Sequence, residues 1–174
     1  KSEICKYLKR RFFVSYDCDS QVIVTVGGSE AIDLALRAML NPGDEVLIPQ
    51  PSYVSYVPCT QLAGGVPVII ELEEKDRFKL TREKILEKLT PKTKILILPF
   101  PNNPTGAIME QEELKEIAQV AIDKDLFVIT DEIYAELTYS GEPSTIAALP
   151  GMKERTILIN GFSKSYAMTG WRLG

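Results

Sequence analysis

The sequence contains no histidine at all. That absence removes Ser-His-Asp and Cys-His nucleophile arrangements and the commonest zinc ligand together, so any acid-base chemistry has to use another group. Cysteine is scarce: Cys5, Cys18 and Cys59 lie far apart, which fits neither a paired disulfide framework nor a metal-ligand cluster and points to a reducing cytoplasm. An excess of positive charge is also missing. A formal charge of −4 and a pI near 5.0 leave no basic footprint for nucleic acid, and the acidic residues are spread rather than run together. The longest apolar stretches, 66–70 and 95–99, are strand-length, far below the roughly 20 residues of a membrane-spanning helix. Neither GxGxxG nor GxxxxGK occurs, which argues against dinucleotide and P-loop sites. No secretory signal opens the chain, but its first residue is Lys1 rather than methionine, so targeting stays open.

What remains is ordinary globular material. With 174 residues, 45% hydrophobic and 25% charged, the chain is long enough to bury a substantial core as one domain. From Gln21 onward, short β-branched runs alternate with segments of helical period, the pattern of an α/β fold with a mainly parallel sheet covered by helices. Strands are expected at 22–26, 45–48, 66–71, 94–98, 127–130 and 156–160. Helices are expected at 29–40, ended by Asn41-Pro42-Gly43, at 53–63 despite Pro58, at 81–89 and at 110–123. Thr81, with Glu83 in the first turn, makes a capping-box-like start for the third of these. No internal repeat, low-complexity tract or linker is present.

Each notable motif follows a predicted strand, where open α/β sheets place their ligands. Gly27-Gly28-Ser29 can present backbone N–H groups to a phosphate at a helix N-terminus, although taken alone it also reads as a tight turn that merely needs glycine. Asn103-Pro104-Thr105-Gly106 is turn chemistry with a free amide to offer. Asp131-Glu132 directly follows an apolar strand, which puts at least one carboxylate at the sheet edge, where a buried Asp needs a charged or donating partner; a helix-capping Asp is the plainer alternative. Tyr53 and Tyr134, taken singly, read more readily as core or interface aromatics than as ligand contacts. Lys164 sits in the small-residue segment Gly161-Phe162-Ser163-Lys164-Ser165-Tyr166-Ala167-Met168-Thr169-Gly170-Trp171-Arg172-Leu173-Gly174. A lone lysine is normally solvated, but in a desolvated pocket beside another cation it becomes a nucleophile toward carbonyls.

Taken together and in order, Gly27-Gly28-Ser29, Pro51-Ser52-Tyr53, Asn103-Pro104-Thr105-Gly106, Asp131-Glu132-Ile133-Tyr134 and the Lys164 segment resemble the pyridoxal-phosphate aminotransferases of fold type I, class I/II. The resemblance implies a three-layer α/β/α sandwich with a mainly parallel mixed sheet. Residues 1–174 would be the cofactor-binding large domain, without an N-terminal segment and a C-terminal small domain. It implies pyridoxal 5'-phosphate as cofactor, held by Lys164 as a Schiff base, with the freed Lys164 amine moving the 1,3 proton. Asp131 would pair with the pyridinium nitrogen, and Tyr134 and Asn103 would hydrogen-bond the phenolic oxygen, Asn103 also reaching the substrate carboxylate. Tyr53 would stack on the ring, while Gly28, Ser29, Ser163 and Arg172 would hold the phosphate. Gly161 and Gly27 stand where some members carry hydroxyl residues, so the phosphate cup has fewer hydroxyls.

The implied reaction is transamination between an amino acid and a 2-oxo acid in a cytoplasmic homodimer, with little turnover by this chain alone. Two other functions share the same lysine: a carbon-sulfur β-lyase, and the non-catalytic aminotransferase-like sensor domain of a regulator. Tyr134 tilts the choice toward transfer. A plain α/β domain with no cofactor is opposed only by the motif set.

Overall fold

The computed structural model describes residues 1–139 and 141–174. The chain enters through helix α1 (Ser2–Phe12) and continues α2 (Gly28–Met39), β1 (Glu45–Gln50), α3 (Tyr56–Leu62), β2 (Val66–Glu71), α4 (Arg82–Lys88), β3 (Thr93–Leu98), α5 (Gln111–Asp123), β4 (Phe127–Asp131) and β5 (Thr156–Ile159), with short 3-10 turns between. The strands form one sheet in the order β2-β1-β3-β4-β5, every pairing parallel. The chain runs outward from β1 to β2 and then returns to the other side of β1 as β3. That reversal creates a switch point, at whose carboxyl edge a crevice opens.

Strand alternation sorts the core into two layers. Val46 and Ile48 of β1, Ile95 and Ile97 of β3 and Ile129 of β4 pack with Ile32 and Leu36 of α2 and Tyr56 of α3. Their sequence neighbours Leu47, Leu96, Leu98 and Val128 face the opposite side, against Ile85 of α4 and Leu114, Ile117 and Ala121 of α5. Both sheet faces are therefore covered, and the inner strands read as continuous apolar runs. Each fully buried Leu or Ile contributes about 1.5–3 kcal/mol, which makes these layers the main source of stability. A smaller cluster joins Leu8 and Phe12 of α1 to Val14, Ala135 and Ala147.

The three-layer α/β/α architecture is the one expected. The five-stranded sheet is wholly parallel, and beside it Thr25 and Gly174 exchange N–H···O bonds of 2.8 and 3.0 Å, the reciprocal pattern of an antiparallel pair. Residues 22–26 do not form the expected strand. Ile23 is 77% exposed and Val26 58% exposed, and the Gly174 pair supplies the described backbone partner; β-branched composition without neighbours to pack against does not make a strand.

The helix expected at 53–63 starts at Tyr56. Pro58 explains the shift: starting at Tyr56 leaves it in the first turn, where its missing N–H has no intrahelical partner to lose. Elsewhere the boundaries move by a residue or two. Thr81 caps α4, accepting the Lys84 N–H at 3.4 Å. Glu110 caps α5 in a reciprocal box with Glu113, whose side chain accepts the Glu110 N–H at 2.7 Å. Helix α1 precedes the region where the alternation was read; five of its eleven residues are charged, and Leu8 and Phe12 are buried.

Candidate functional site

A cleft of about 190 Å³ lies at the carboxyl edge of the sheet, beside the switch point. Its floor is Asp131, the last residue of β4, only 8% exposed. The Tyr56 hydroxyl donates to its Oδ2 at 2.8 Å and the Ile133 N–H to its Oδ1 at 3.3 Å. Burial pushes the Asp131 carboxyl upward, and these two hydrogen bonds oppose the push. Among the described residues, no cationic side chain pairs with Asp131, although Lys164 and Arg172 line the same cleft. A ligand bringing a cationic N–H to this floor would supply the partner that an ionised buried carboxylate requires.

The wall toward α3 is aromatic. Tyr53 meets Tyr56 edge to face, with centroids 5.7 Å apart at 83°, and its hydroxyl lies 3.3 Å from Ser29 Oγ. Hydrogen bonds with Ser29 and then Ser55 push the Tyr53 hydroxyl below the usual tyrosine range. The β3 end contributes Pro99, Pro101 and Asn103. Asn102, not Asn103, builds this loop: its Oδ1 accepts from the Thr105 N–H and hydroxyl at 3.3 and 3.0 Å, and its backbone bonds Gly106 and Ala107. Asn103 is thereby presented to the cleft.

At the other end, Gly28 and Ser29 open α2, so the unpaired N–H groups of its first turn point into the site. Gly27 precedes them with φ 79° and ψ 170°, a backbone conformation essentially reserved for glycine. A Cβ at Gly27 would collide with the Arg172 guanidinium, which lies over this turn and donates to Thr169 O at 3.1 Å and Val26 O at 3.5 Å. The Thr169 hydroxyl in turn donates to Ser163 O at 2.8 Å. One polar chain thus ties Ser163, Thr169 and Arg172 to the start of α2. With the first turn of α2 beside it, this end can receive an anion.

Lys164 leaves the sheet just past β5. Its side chain is exposed on the cleft side, with Nζ 5.7 Å from the centroid of the Tyr134 ring. Every candidate named from the sequence (Gly28, Ser29, Tyr53, Asn103, Asp131, Tyr134, Ser163, Lys164 and Arg172) lines this one cleft. Sequence reasoning missed Tyr56 and Thr169, which line it too. Their signals were spacing, Tyr56 three residues after Tyr53 and Thr169 three residues before Arg172. Of the paired carboxylates, both are buried and they diverge: Asp131 toward the cleft, Glu132 away from it.

Comparison with known proteins identifies the family. The family model described as aminotransferase class I and II matches residues 1–174. A Bacillus subtilis protein named as an aminotransferase, YugH, is 52% identical over 100% of this chain and 45% of its own length. The aspartate aminotransferase of Geobacillus stearothermophilus is 44% identical over 100% of this chain and 44% of its own length. The solved aromatic aminotransferase from Pyrococcus horikoshii superposes with a TM-score of 0.98 at 44% identity, covering 99% of this chain and 47% of that one. The chain spans less than half the length of these relatives. It belongs to the class I and II aminotransferases, a pyridoxal-phosphate-dependent family of fold type I.

Proposed function

We propose that residues 1–174 are the cofactor-binding large domain of a longer aminotransferase, which moves an amino group between an amino acid and a 2-oxo acid with Lys164 as the Schiff-base lysine. The observation that carries this reading is the opposition across one cleft of a buried, cation-short carboxyl, Asp131, and an anion cup at the start of α2. Pyridoxal phosphate has matching ends, a ring nitrogen that takes a proton and a phosphate. When bound, it supplies an electron sink for the bond electrons released at the substrate Cα.

The chain's own groups have distinct tasks in this reading. Asp131 holds the proton on the ring nitrogen, and Tyr56 keeps its carboxylate aimed. Gly28 and Ser29 N–H groups, Ser163 and Arg172 hold the phosphate, Arg172 as a planar fork. Tyr53 covers the ring face, and Tyr134 and Asn103 bond the phenolic oxygen, Asn103 reaching also toward the substrate carboxylate. Lys164 would hold the cofactor through its aldehyde group, and its amine, once freed, would be the base that takes up and returns a proton at the substrate Cα.

The same reading makes the working enzyme a cytoplasmic homodimer, consistent with three free cysteines and with no described helix long and apolar enough to cross a membrane. The substrate-clamping arginine of the small domain and the partner subunit's contribution lie outside these residues, so this chain alone turns over weakly or not at all. Of the three relatives, one is named for aspartate and one for aromatic amino acids, and the donor here is a matter for assay. The test is the visible absorbance of the full-length protein before and after Lys164→Ala. Loss of the violet band supports the assignment, and an unchanged spectrum refutes it. Pyruvate and ammonia release from cysteine-type substrates without transfer to 2-oxoglutarate would instead identify a β-lyase.

A further inference from the structure

Behind the cleft, on the opposite face of the sheet, Glu132 is 2% exposed. Its backbone N–H extends the β4 ladder to Ile159 O at 2.8 Å, so its side chain points away from that of Asp131, as consecutive strand residues do. One carboxyl oxygen, Oε1, accepts from two hydroxyls: Thr130 Oγ1 at 3.0 Å and Thr145 Oγ1 at 2.5 Å. Both threonines are buried, 1% and 4% exposed. Thr130 is the residue before Asp131, whereas Thr145 begins a 3-10 turn and accepts the Ala147 N–H at 3.3 Å. The Glu132 carboxyl therefore clamps the end of β4 to a segment well downstream in the chain.

The second oxygen has a different setting. Glu132 Oε2 and Thr138 Oγ1 are buried with no partner among the described residues, and both residues line a cavity of about 30 Å³. A water needs about 10–15 Å³ of such space and two to four polar partners. With Oε1 accepting twice, a neutral carboxyl places its proton on Oε2, which then needs an acceptor. A water bridging Oε2 and Thr138 Oγ1 meets that need.

We infer that Glu132 is a positioning residue for Asp131, fixing the strand end through the Thr130–Thr145 hydroxyl clamp and a water-sized hydration site behind the cleft. The inference rests on the proposed role of Asp131. An apolar residue at this position would fill the space but leave two hydroxyl donors unpaired, each costing about 1–3 kcal/mol. What the position requires is an acceptor for two donors, and glutamine supplies one.

The test uses the full-length protein. The dissociation constant for pyridoxal phosphate and the pH midpoint of the bound cofactor's absorbance are compared for wild type, Glu132→Gln, Glu132→Leu and Thr145→Val. Glu132→Leu is expected to weaken binding about tenfold or more and to move the midpoint, Thr145→Val to do the same to a smaller degree, and Glu132→Gln to stay within about threefold of wild type. A structural defect elsewhere would lower thermal stability without moving the midpoint. Leu and Val variants that bind like wild type with an unmoved midpoint would overturn the inference while leaving the proposed function standing. Failure of the wild type to bind would overturn both. Should Glu132→Leu not fold, Thr145→Val decides alone. A crystal structure with ordered water within hydrogen-bond reach of Glu132 Oε2 and Thr138 Oγ1 supports the hydration site, and a dry cavity there contradicts it.

Discussion

The Tyr56 hydroxyl donates to Asp131 Oδ2 across 2.8 Å, linking α3 to the end of β4 beneath the cleft. Burial, then the Asp131 charge, pushes the Tyr56 hydroxyl well above the usual tyrosine range, so it remains a donor at any working pH. The same contact opposes the upward push that burial exerts on Asp131. Aiming and ionisation of the carboxylate are therefore coupled.

Tyr56→Phe removes that donor and leaves a buried acceptor with one fewer bond. Stability is expected to fall by about 1–3 kcal/mol, and affinity for pyridoxal phosphate to fall with it because Asp131 becomes harder to ionise. Thermal melts and cofactor titration of the full-length protein check both. Unchanged affinity would show that Tyr56 serves α3 packing only.

Gly27→Ala places a Cβ in a conformation that costs non-glycine residues about 1–3 kcal/mol and drives it into the Arg172 guanidinium. The anion cup should suffer more than the fold. Inorganic phosphate competition against pyridoxal phosphate is expected to weaken together with cofactor affinity. A melt lowered without any change in phosphate binding would contradict the proposed cup.

Burial, the largest influence, pushes the Glu132 carboxyl up to about 8 from 4.5, against the opposing hydrogen bonds of Thr145 and Thr130. The folded chain then keeps a proton that the unfolded chain releases, so this group's contribution is fully present below about pH 4.5 and is lost as pH rises through about 8. Glu132→Gln does not titrate. Denaturation of the two proteins between about pH 5 and pH 8 is expected to show the variant gaining on wild type, by at most about 1.4 kcal/mol per pH unit. A gap that stays constant across that window would contradict a buried neutral carboxyl.

Much of this was legible before any coordinates. The run at 94–98 revealed a strand because the inner parallel strand β3 is largely buried on both faces and so is apolar along most of its length, whereas the edge strand at 66–71 was legible from its β-branched run after Gly64-Gly65. The cleft residues were legible because sheet topology carries the ends of β1, β3, β4 and β5 to one edge, and each of those ends bears a motif. Other features depend on neighbours that a sequence does not display. Residues 22–26 have strand composition but lack strands to pair along their length, and Gly174, their pairing partner, is far away in the chain. Tyr56 looks like any helical aromatic until β4 brings Asp131 beneath it. Glu132 looked like half of an acidic pair, whereas strand alternation sends it to the other side of the sheet, onto Thr145.

The central claim is that Lys164 holds the cofactor. Borohydride reduction of the full-length holoprotein, followed by digestion and mass spectrometry, tests it most directly, because reduction makes the link permanent at the residue that carries it. The account predicts a single pyridoxyl-bearing peptide, containing Ser163-Lys164-Ser165 and modified on Lys164. Label on another lysine, or a cofactor that dialyses away unreduced, would contradict it.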